Sequence, residues 1–406
     1  MSTPNAAVTL TALDDVRAAA ELVSRVARIT PVLQPVSLAN LAGRPVLLKC
    51  EQFQRTGSFK VRGAYNRIAR LDPGTDVVTA SAGNHAQGVA LAATERGLRA
   101  TVYMPETASL PKVQATRDYG AEIVLHGALY EDAAAAAHEH ADRTGARYVH
   151  AFDDPLVVAG QGTVGLELAD QAPEADTFVV PVGGGGLIGG AACALKALRP
   201  GCRVVGVEPT GAADMEQALA AGHPVTLDRV DTIADGIAVK QVSPLTLAHA
   251  REFVDDFVTV SDDEIARALV LLLERAKCVV EPSGAAGLAA VLADRVGGAG
   301  PVAVVLSGGN VDPSLLGRLI DHGLNAAGRF LNVRVVLEDR PGSLSQLLDV
   351  VAAQGLNIVE VDHHRTGVAL SVKEVEVFLA VETRDRAHQD EALQALTAAG
   401  FRIERA

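Results

Sequence analysis

Four short segments of this chain carry residues whose types and spacing can do chemistry. Ser58-Phe59-Lys60 sets an amine beside an aromatic ring and between two glycines, Gly57 and Gly63. An amine held in an apolar pocket sheds its proton more readily, and the neutral form attacks carbonyl carbon. Taken alone, the same triplet also fits an ordinary surface lysine. Ser81-Ala82-Gly83-Asn84-His85-Ala86-Gln87 follows the apolar run VVTA. A small-residue turn after a strand is where parallel sheets place ligands. Its N–H groups, with the Ser81 and Asn84 side chains, can hold a carboxylate or a ring hydroxyl. His85 suits a structural place at a helix start better than a catalytic base.

Gly183, Gly184, Gly185 and Gly186, then Leu187, follow the run FVV and precede a helical pattern. Successive glycines leave N–H groups free to wrap a phosphate at the positive end of a helix. The segment is neither a GxGxxG fingerprint nor a Walker loop, because no GK[ST] follows. Leu306-Ser307-Gly308-Gly309-Asn310 ends the apolar run VAVVL. Its Ser307 hydroxyl can reach a heterocycle nitrogen, though the segment also reads as a plain turn.

The elements that position these segments alternate in type. Residues 45–50, 77–79, 100–104, 123–125, 178–182, 203–207 and 302–306 read as strands. Residues 88–96, 110–119, 131–143 and 187–197 read as helices between them, and 14–28 as an opening helix. Such alternation implies an α/β fold with parallel sheets and helices on both faces. Ser261 and Glu264, spaced as a capping box, start a further helix. Residues 177–195 carry no charge, yet six glycines and a proline make them strand, loop and helix rather than a membrane span.

The last eighty residues follow another rhythm. After a glycine-bounded linker at 323–328, residues 331–337 alternate with period two, and Leu344, Leu347, Leu348 and Val351 share one helical face. Strands at 358–362 and 375–381, a helix at 387–399 and a strand at 401–403 complete a ferredoxin-like βαββαβ unit. The domains expected are 1–325 and 329–406.

Composition narrows the function classes. The 406 residues carry a net charge of −13 without a basic stripe, which argues against nucleic acid. Four scattered cysteines fit a reduced, cytoplasmic protein with neither disulfide nor zinc framework. The opening MSTPNAAVTL lacks a signal-peptide pattern. A soluble protein with no membrane partner is expected.

Together, in this order and at these intervals, the four segments resemble the fold-type II pyridoxal-phosphate (PLP) enzymes of the tryptophan synthase β-like fold, and most closely the threonine dehydratases (threonine ammonia-lyases). The resemblance spans about residues 10–320. It implies that Lys60 holds PLP as a Schiff base beside Phe59 and that Asn84 contacts the ring hydroxyl. It also implies that Gly183, Gly184, Gly185, Gly186 and Leu187 cradle the phosphate and that Ser307 faces the pyridine nitrogen. Ser81, Asn84 and His85 would line the substrate carboxylate pocket. A smaller subdomain, about 52–150, would be inserted in the larger one.

The tail resembles an ACT domain, through Asp339-Arg340-Pro341-Gly342 entering a helix and Gly355-Leu356-Asn357-Ile358 after it. Asp339, Pro341, Gly342, Asn357 and Ile358 would then line an amino-acid effector site at a domain–domain interface. A structural cap or dimerisation module is the other reading. The expected partners are an amino-acid substrate, an amino-acid effector and further copies of the chain, as dimer or tetramer.

Serine racemases of this fold carry a second serine where this chain has Ala82, which has no proton to give, so racemisation is disfavoured. They bind a divalent cation through a VEP segment, matched here by Glu208 with Ala212 and Asp214 downstream. Three oxygen ligands so spaced suit Mg²⁺ or Ca²⁺, and a surface turn with two acids is the alternative. The expected reaction is deamination of L-threonine, and of L-serine, at a feedback-controlled step such as the head of isoleucine synthesis. Other readings are β-elimination or β-replacement on hydroxyaspartate or O-acetylserine, and an amino-acid sensor with an inactive PLP site.

Overall fold

A computed structural model of the chain describes residues 8–365 and 370–405; the first seven residues, read above for a targeting signal, lie outside them. The chain divides into two compact units, Met1–Leu316 and Gly317–Ala406.

In the first unit, Val32–Leu33 (β1) and Val46–Cys50 (β2) open one sheet. Val77–Ala80 (β3), Ala100–Met104 (β4), Glu122–Leu125 (β5) and Arg147–Tyr148 (β6) form a second. Thr177–Pro181 (β7), Arg203–Pro209 (β8), Asp256–Val260 (β9) and Val302–Leu306 (β10) return to the first. The first sheet runs β1-β2-β10-β7-β8-β9 and the second β5-β4-β3-β6. All pairings are parallel except β1 with β2. Every residue of β2, β7 and β10 is buried. Strands covered on both faces need apolar side chains throughout, hence the unbroken runs in the sequence.

The four chemical segments all follow a strand or lead a helix at the carboxyl ends of these sheets. Helix Asn84–Glu95 starts four residues before the apolar pattern suggested, so Asn84 and His85 form its first turn. Helix Gly186–Leu198 begins within the glycine run. Ser261 caps helix Asp262–Leu271 by accepting from the Glu264 N–H, and Glu264 accepts in return from the Ser261 N–H at 2.7 Å.

In the second unit, Phe330–Glu338 (β11), Asn357–His364 (β12), Glu374–Glu382 (β13) and Arg402–Arg405 (β14) form an antiparallel sheet of order β12-β13-β11-β14. Helices Ser343–Ala353 and Arg386–Ala398 complete the βαββαβ order. Leu331, Val333, Val335 and Leu337 pack with Val375, Val377, Leu379, Leu347 and Leu396 into its core. The linker expected at 323–328 is instead mostly helical, because helix Pro313–Ala326 runs through it. Leu324, Asn325 and Ala326 propagate the Leu-rich pattern begun at Leu315, and Gly328, at φ +75°, ends it.

Candidate functional site

One cleft gathers segments spread along the chain from Phe59 to Ser307. Phe59, Lys60, Asn84, Gly183, Gly184, Gly185, Gly186, Leu187 and Ser307 line it. Backbone bonds lock its floor: Phe59 N–H donates to the Ser307 carbonyl at 3.1 Å, and Gly309 N–H to Gly57 at 2.9 Å. Lys60 is the first residue of helix Lys60–Ile68. Its Nζ donates to the Ala151 carbonyl at 3.2 Å and sits 5.3 Å from the centre of the Phe59 ring.

The glycines are required sterically. A Cβ on Gly184 would lie 2.1 Å from the Phe152 ring, and Gly185 holds φ +83° just before the helix. The run therefore presents bare amides at the N-terminus of a 13-residue helix, a site for an anion.

Charge in the cleft is tuned by burial. Desolvation draws the Lys60 amine down to about 8, against the opposing pull of Glu281. Glu281 is pushed up to about 7 by burial and by Asp235, while its hydrogen bond from Asn84 opposes the shift. Asn84 Nδ2 donates to Glu281 Oε1 at 2.7 Å, and Asn310 Nδ2 donates to Asn84 Oδ1 at 2.7 Å. The Asn84 amide is thus oriented from both ends.

Sequence reasoning did not find Glu281, Ser283 or Phe152. Glu281 stands as one acid between the apolar pair Val279-Val280 and Pro282, the first residue of helix Pro282–Leu292. A carboxyl at the end of an apolar run was the signal. Ser283 lines the cleft with its buried Oγ lacking a hydrogen-bond partner among the described residues, an atom placed to bind something else.

Two expected substrate ligands do not line this cleft. His85 Nε2 meets the Val149 carbonyl at 3.0 Å, and Ser81 Oγ accepts the Gly83 N–H at 3.2 Å. Burial and the nearby Lys60 amine hold His85 neutral, at about 3. Both side chains are engaged in shaping the turn.

Glu208 and Asp214 are fully buried, which overturns the surface-turn alternative. Glu208 accepts the Met215 and Glu216 N–H groups at 2.8 and 2.9 Å. Burial and the neighbouring Asp214 carboxyl push Glu208 up to about 8. Two carboxyls, with Ala212 on the intervening turn, form this group. Among the described residues no set of three or more His, Cys, Asp or Glu side chains is placed to hold a metal.

In the second unit the structure does not bring the five effector candidates together. Glu338 pairs with Glu374 at one end of the sheet, whereas Asn357 pairs with Glu382 at the other. Asp339, Pro341 and Gly342 are therefore separated from Asn357 and Ile358 by the length of a strand, roughly 25 Å. The reason is helix Ser343–Ala353, which carries the chain back along the sheet. Arg365 donates to Asp339 at 3.4 Å, Asn357 to Glu382 at 3.0 Å, and Ile358 is 39% exposed.

A family model described as pyridoxal-phosphate dependent enzyme matches residues 23–308, and one described as ACT domain matches 332–401. The chain is 42% identical over 394 residues to L-threonine ammonia-lyase of Thermotoga maritima, across 96% of this chain and 98% of that one. Its structure resembles maize serine racemase, with TM-score 0.74 and 39% identity over 78% of this chain and 99% of that one. It also resembles the processed form of threonine deaminase isoform 2 from Solanum lycopersicum, with TM-score 0.73 and 36% identity over 79% of this chain and 93% of that one. Among the described residues no helix is long and apolar enough to cross a membrane.

Proposed function

The chain belongs to the pyridoxal-phosphate dependent enzymes and carries an ACT domain, and on that premise we propose that it is a threonine ammonia-lyase. It eliminates water from L-threonine and returns water on hydrolysis of the resulting enamine, so that ammonia is the net loss and 2-oxobutanoate remains; L-serine gives pyruvate in the same way. The observation that carries this reading is the convergence of the Lys60 amine, the bare-amide glycine run and Ser307 on one cleft, in a chain similar to an L-threonine ammonia-lyase across both domains.

The residues present fit the cofactor. The glycine amides suit its phosphate, the Lys60 amine its aldehyde, and the unpartnered Ser283 Oγ another polar group. Bound PLP supplies the conjugated electron sink that acidifies the substrate Cα–H. Lys60 holds the cofactor and then, freed by substrate, takes the Cα proton at Nζ. An amine near 8 exchanges a proton readily at neutral pH. Asn84, fixed by Glu281 and Asn310, orients the ring hydroxyl. Ser307 would offer a neutral hydroxyl to the ring nitrogen, which would favour elimination of the β-hydroxyl over transamination. Ala82, where serine racemases carry a serine, has no proton to give, which disfavours the racemase reading that the maize structure raises.

Glu208, Asp214 and the Ala212 carbonyl would hold Mg²⁺ or Ca²⁺, whose charge offsets two adjacent buried carboxyls. Retention of thermal stability after chelation would remove this assignment. The tail would take isoleucine or valine as effector. Since its candidate residues sit at opposite ends of one sheet, two copies would supply the two halves of each site, which requires a homo-oligomer. An unchanged threonine saturation curve with both amino acids present would count against this.

The test of the activity is 2-oxo acid release from L-threonine, L-serine and hydroxyaspartate by the PLP-loaded protein. Release from threonine and serine is expected. Visible cofactor absorbance without release from any of them would move the function to β-replacement chemistry.

A further inference from the structure

We propose that Arg62 is a positioning residue for Lys60: its guanidinium sets the rotation of the helix that Lys60 begins. The inference rests on Lys60 being the residue that holds the cofactor.

Lys60 and Arg62 are two residues apart on helix Lys60–Ile68, about 200° around its axis. One therefore faces the cleft while the other faces the body of the unit. Arg62 is 1% exposed, and its donors are all engaged. Nε and Nη2 donate to Glu51 at 2.8 Å each, one to either carboxyl oxygen. Nη1 and Nη2 donate to the two oxygens of Glu167 at 2.6 and 3.0 Å. Nη1 also donates to Thr163 Oγ1 at 3.0 Å and Nη2 to the Arg28 carbonyl at 3.2 Å. Two bidentate forks thus tie the helix to the end of β2 and to helix Pro155–Gln171.

The charges balance locally. Lys49, also buried, pairs with Glu167 and donates to Gln171 at 2.6 Å and to the Thr30 carbonyl at 2.8 Å. Two cations and two carboxylates share this pocket without a net charge. Buried ion networks are often replaceable by apolar residues at no loss of stability. Stability alone is therefore a poor account of this network, in which Arg62, Lys49 and Glu51 are buried and Glu167 is partly so, whereas planar, bidentate bonding fixes orientation.

The backbone reinforces that reading. A Cβ on Gly160 would lie 2.6 Å from the Gly63 Cα, so the two helices touch main chain to main chain. On the other side, a Cβ on Gly88 would lie 3.1 Å from the Lys60 carbonyl carbon. These contacts fix the distance of the helix from its neighbours, and the Arg62 forks fix its turn. An atom roughly 6 Å from a helix axis moves about 2 Å for a rotation of about 20°. Misplacement of a reacting group by about 1 Å can cost ~10²-fold in rate.

The test compares full-length, PLP-loaded wild type, Arg62→Lys and Ile265→Ala. Arg62→Lys keeps the charge and loses the forks; Ile265→Ala opens a cavity in helix Asp262–Leu271. For Arg62→Lys we expect retained visible cofactor absorbance, faster amide exchange across 60–68, and a kcat lowered about 10- to 100-fold. KM for threonine should stay within about threefold. Ile265→Ala should lower the unfolding midpoint without changing kcat per bound cofactor. Wild-type kcat in Arg62→Lys, or kcat losses that merely track the unfolding midpoint in both variants, would overturn the proposal. If Arg62→Lys yields no soluble holoenzyme, Glu51→Gln, which weakens one fork, carries the same expectations. Lys60→Ala separates the two levels: lysine-linked absorbance surviving in that variant would sink the Lys60 assignment rather than the role of Arg62.

Discussion

The two units treat their candidate residues in opposite ways. In the first, residues as far apart in sequence as Lys60 and Ser307 meet in one cleft. In the second, Gly342 and Asn357 are near neighbours in sequence, yet they lie at opposite ends of a sheet. Parallel strands send every chemical segment to the same edge, so convergence follows from topology. The first βαβ passage of the tail sends its helix back along the sheet, so its two loops diverge. The first unit brings its candidate residues together within one chain, and the second keeps them apart.

Lys60→Ala breaks the comparison most severely. It should lower kcat by about 10³-fold or more and abolish the lysine-linked cofactor absorbance, as steady-state assays and a visible spectrum would report. Gly184→Ala comes next. Its methyl would strike the Phe152 ring, and relief of that overlap should weaken PLP binding about 10- to 100-fold by equilibrium titration. Glu281→Ala leaves the Asn84 amide without its acceptor, and kcat/KM for threonine should fall about tenfold.

A pH profile sharpens the cleft side. With its amine drawn down to about 8, Lys60 in the cofactor-free protein is protonated below that value and free above it. The rate of PLP incorporation should rise about tenfold per pH unit up to about 8 and then level. A rise that continues toward the ordinary lysine value of 10.5 would contradict the burial argument. The smallest effect belongs to the tail: Asn357→Ala should leave kcat within about twofold while abolishing the response to isoleucine or valine.

Much of the cleft was legible in the sequence because its strands are buried on both faces and read as apolar runs. The glycine cradle was legible because no other residue fits beside Phe152 and Ile237. Helix Lys60–Ile68 was not: Val61, Ala64, Tyr65 and Ile68 do form an apolar stripe, but the buried polar residues Arg62 and Asn66 interrupt the run and mask it. Helix Pro155–Gln171 escaped for the converse reason, being buried around most of its circumference. Glu281 was hidden as a single acid, meaningful once Asn84 is seen opposite it. His85 has the residue type of a catalyst, but its hydrogen bond to Val149 turns it into a fastening of the strand-to-helix turn. The tail's elements were legible from period and spacing, while the separation of its loops required the register of β11, β12 and β13.

The most direct measurement is the release of 2-oxobutanoate from L-threonine by the PLP-loaded wild type beside Lys60→Ala. Steady turnover is expected in the first and at least a ~10³-fold loss in the second. Comparable turnover in both would contradict the role given to Lys60.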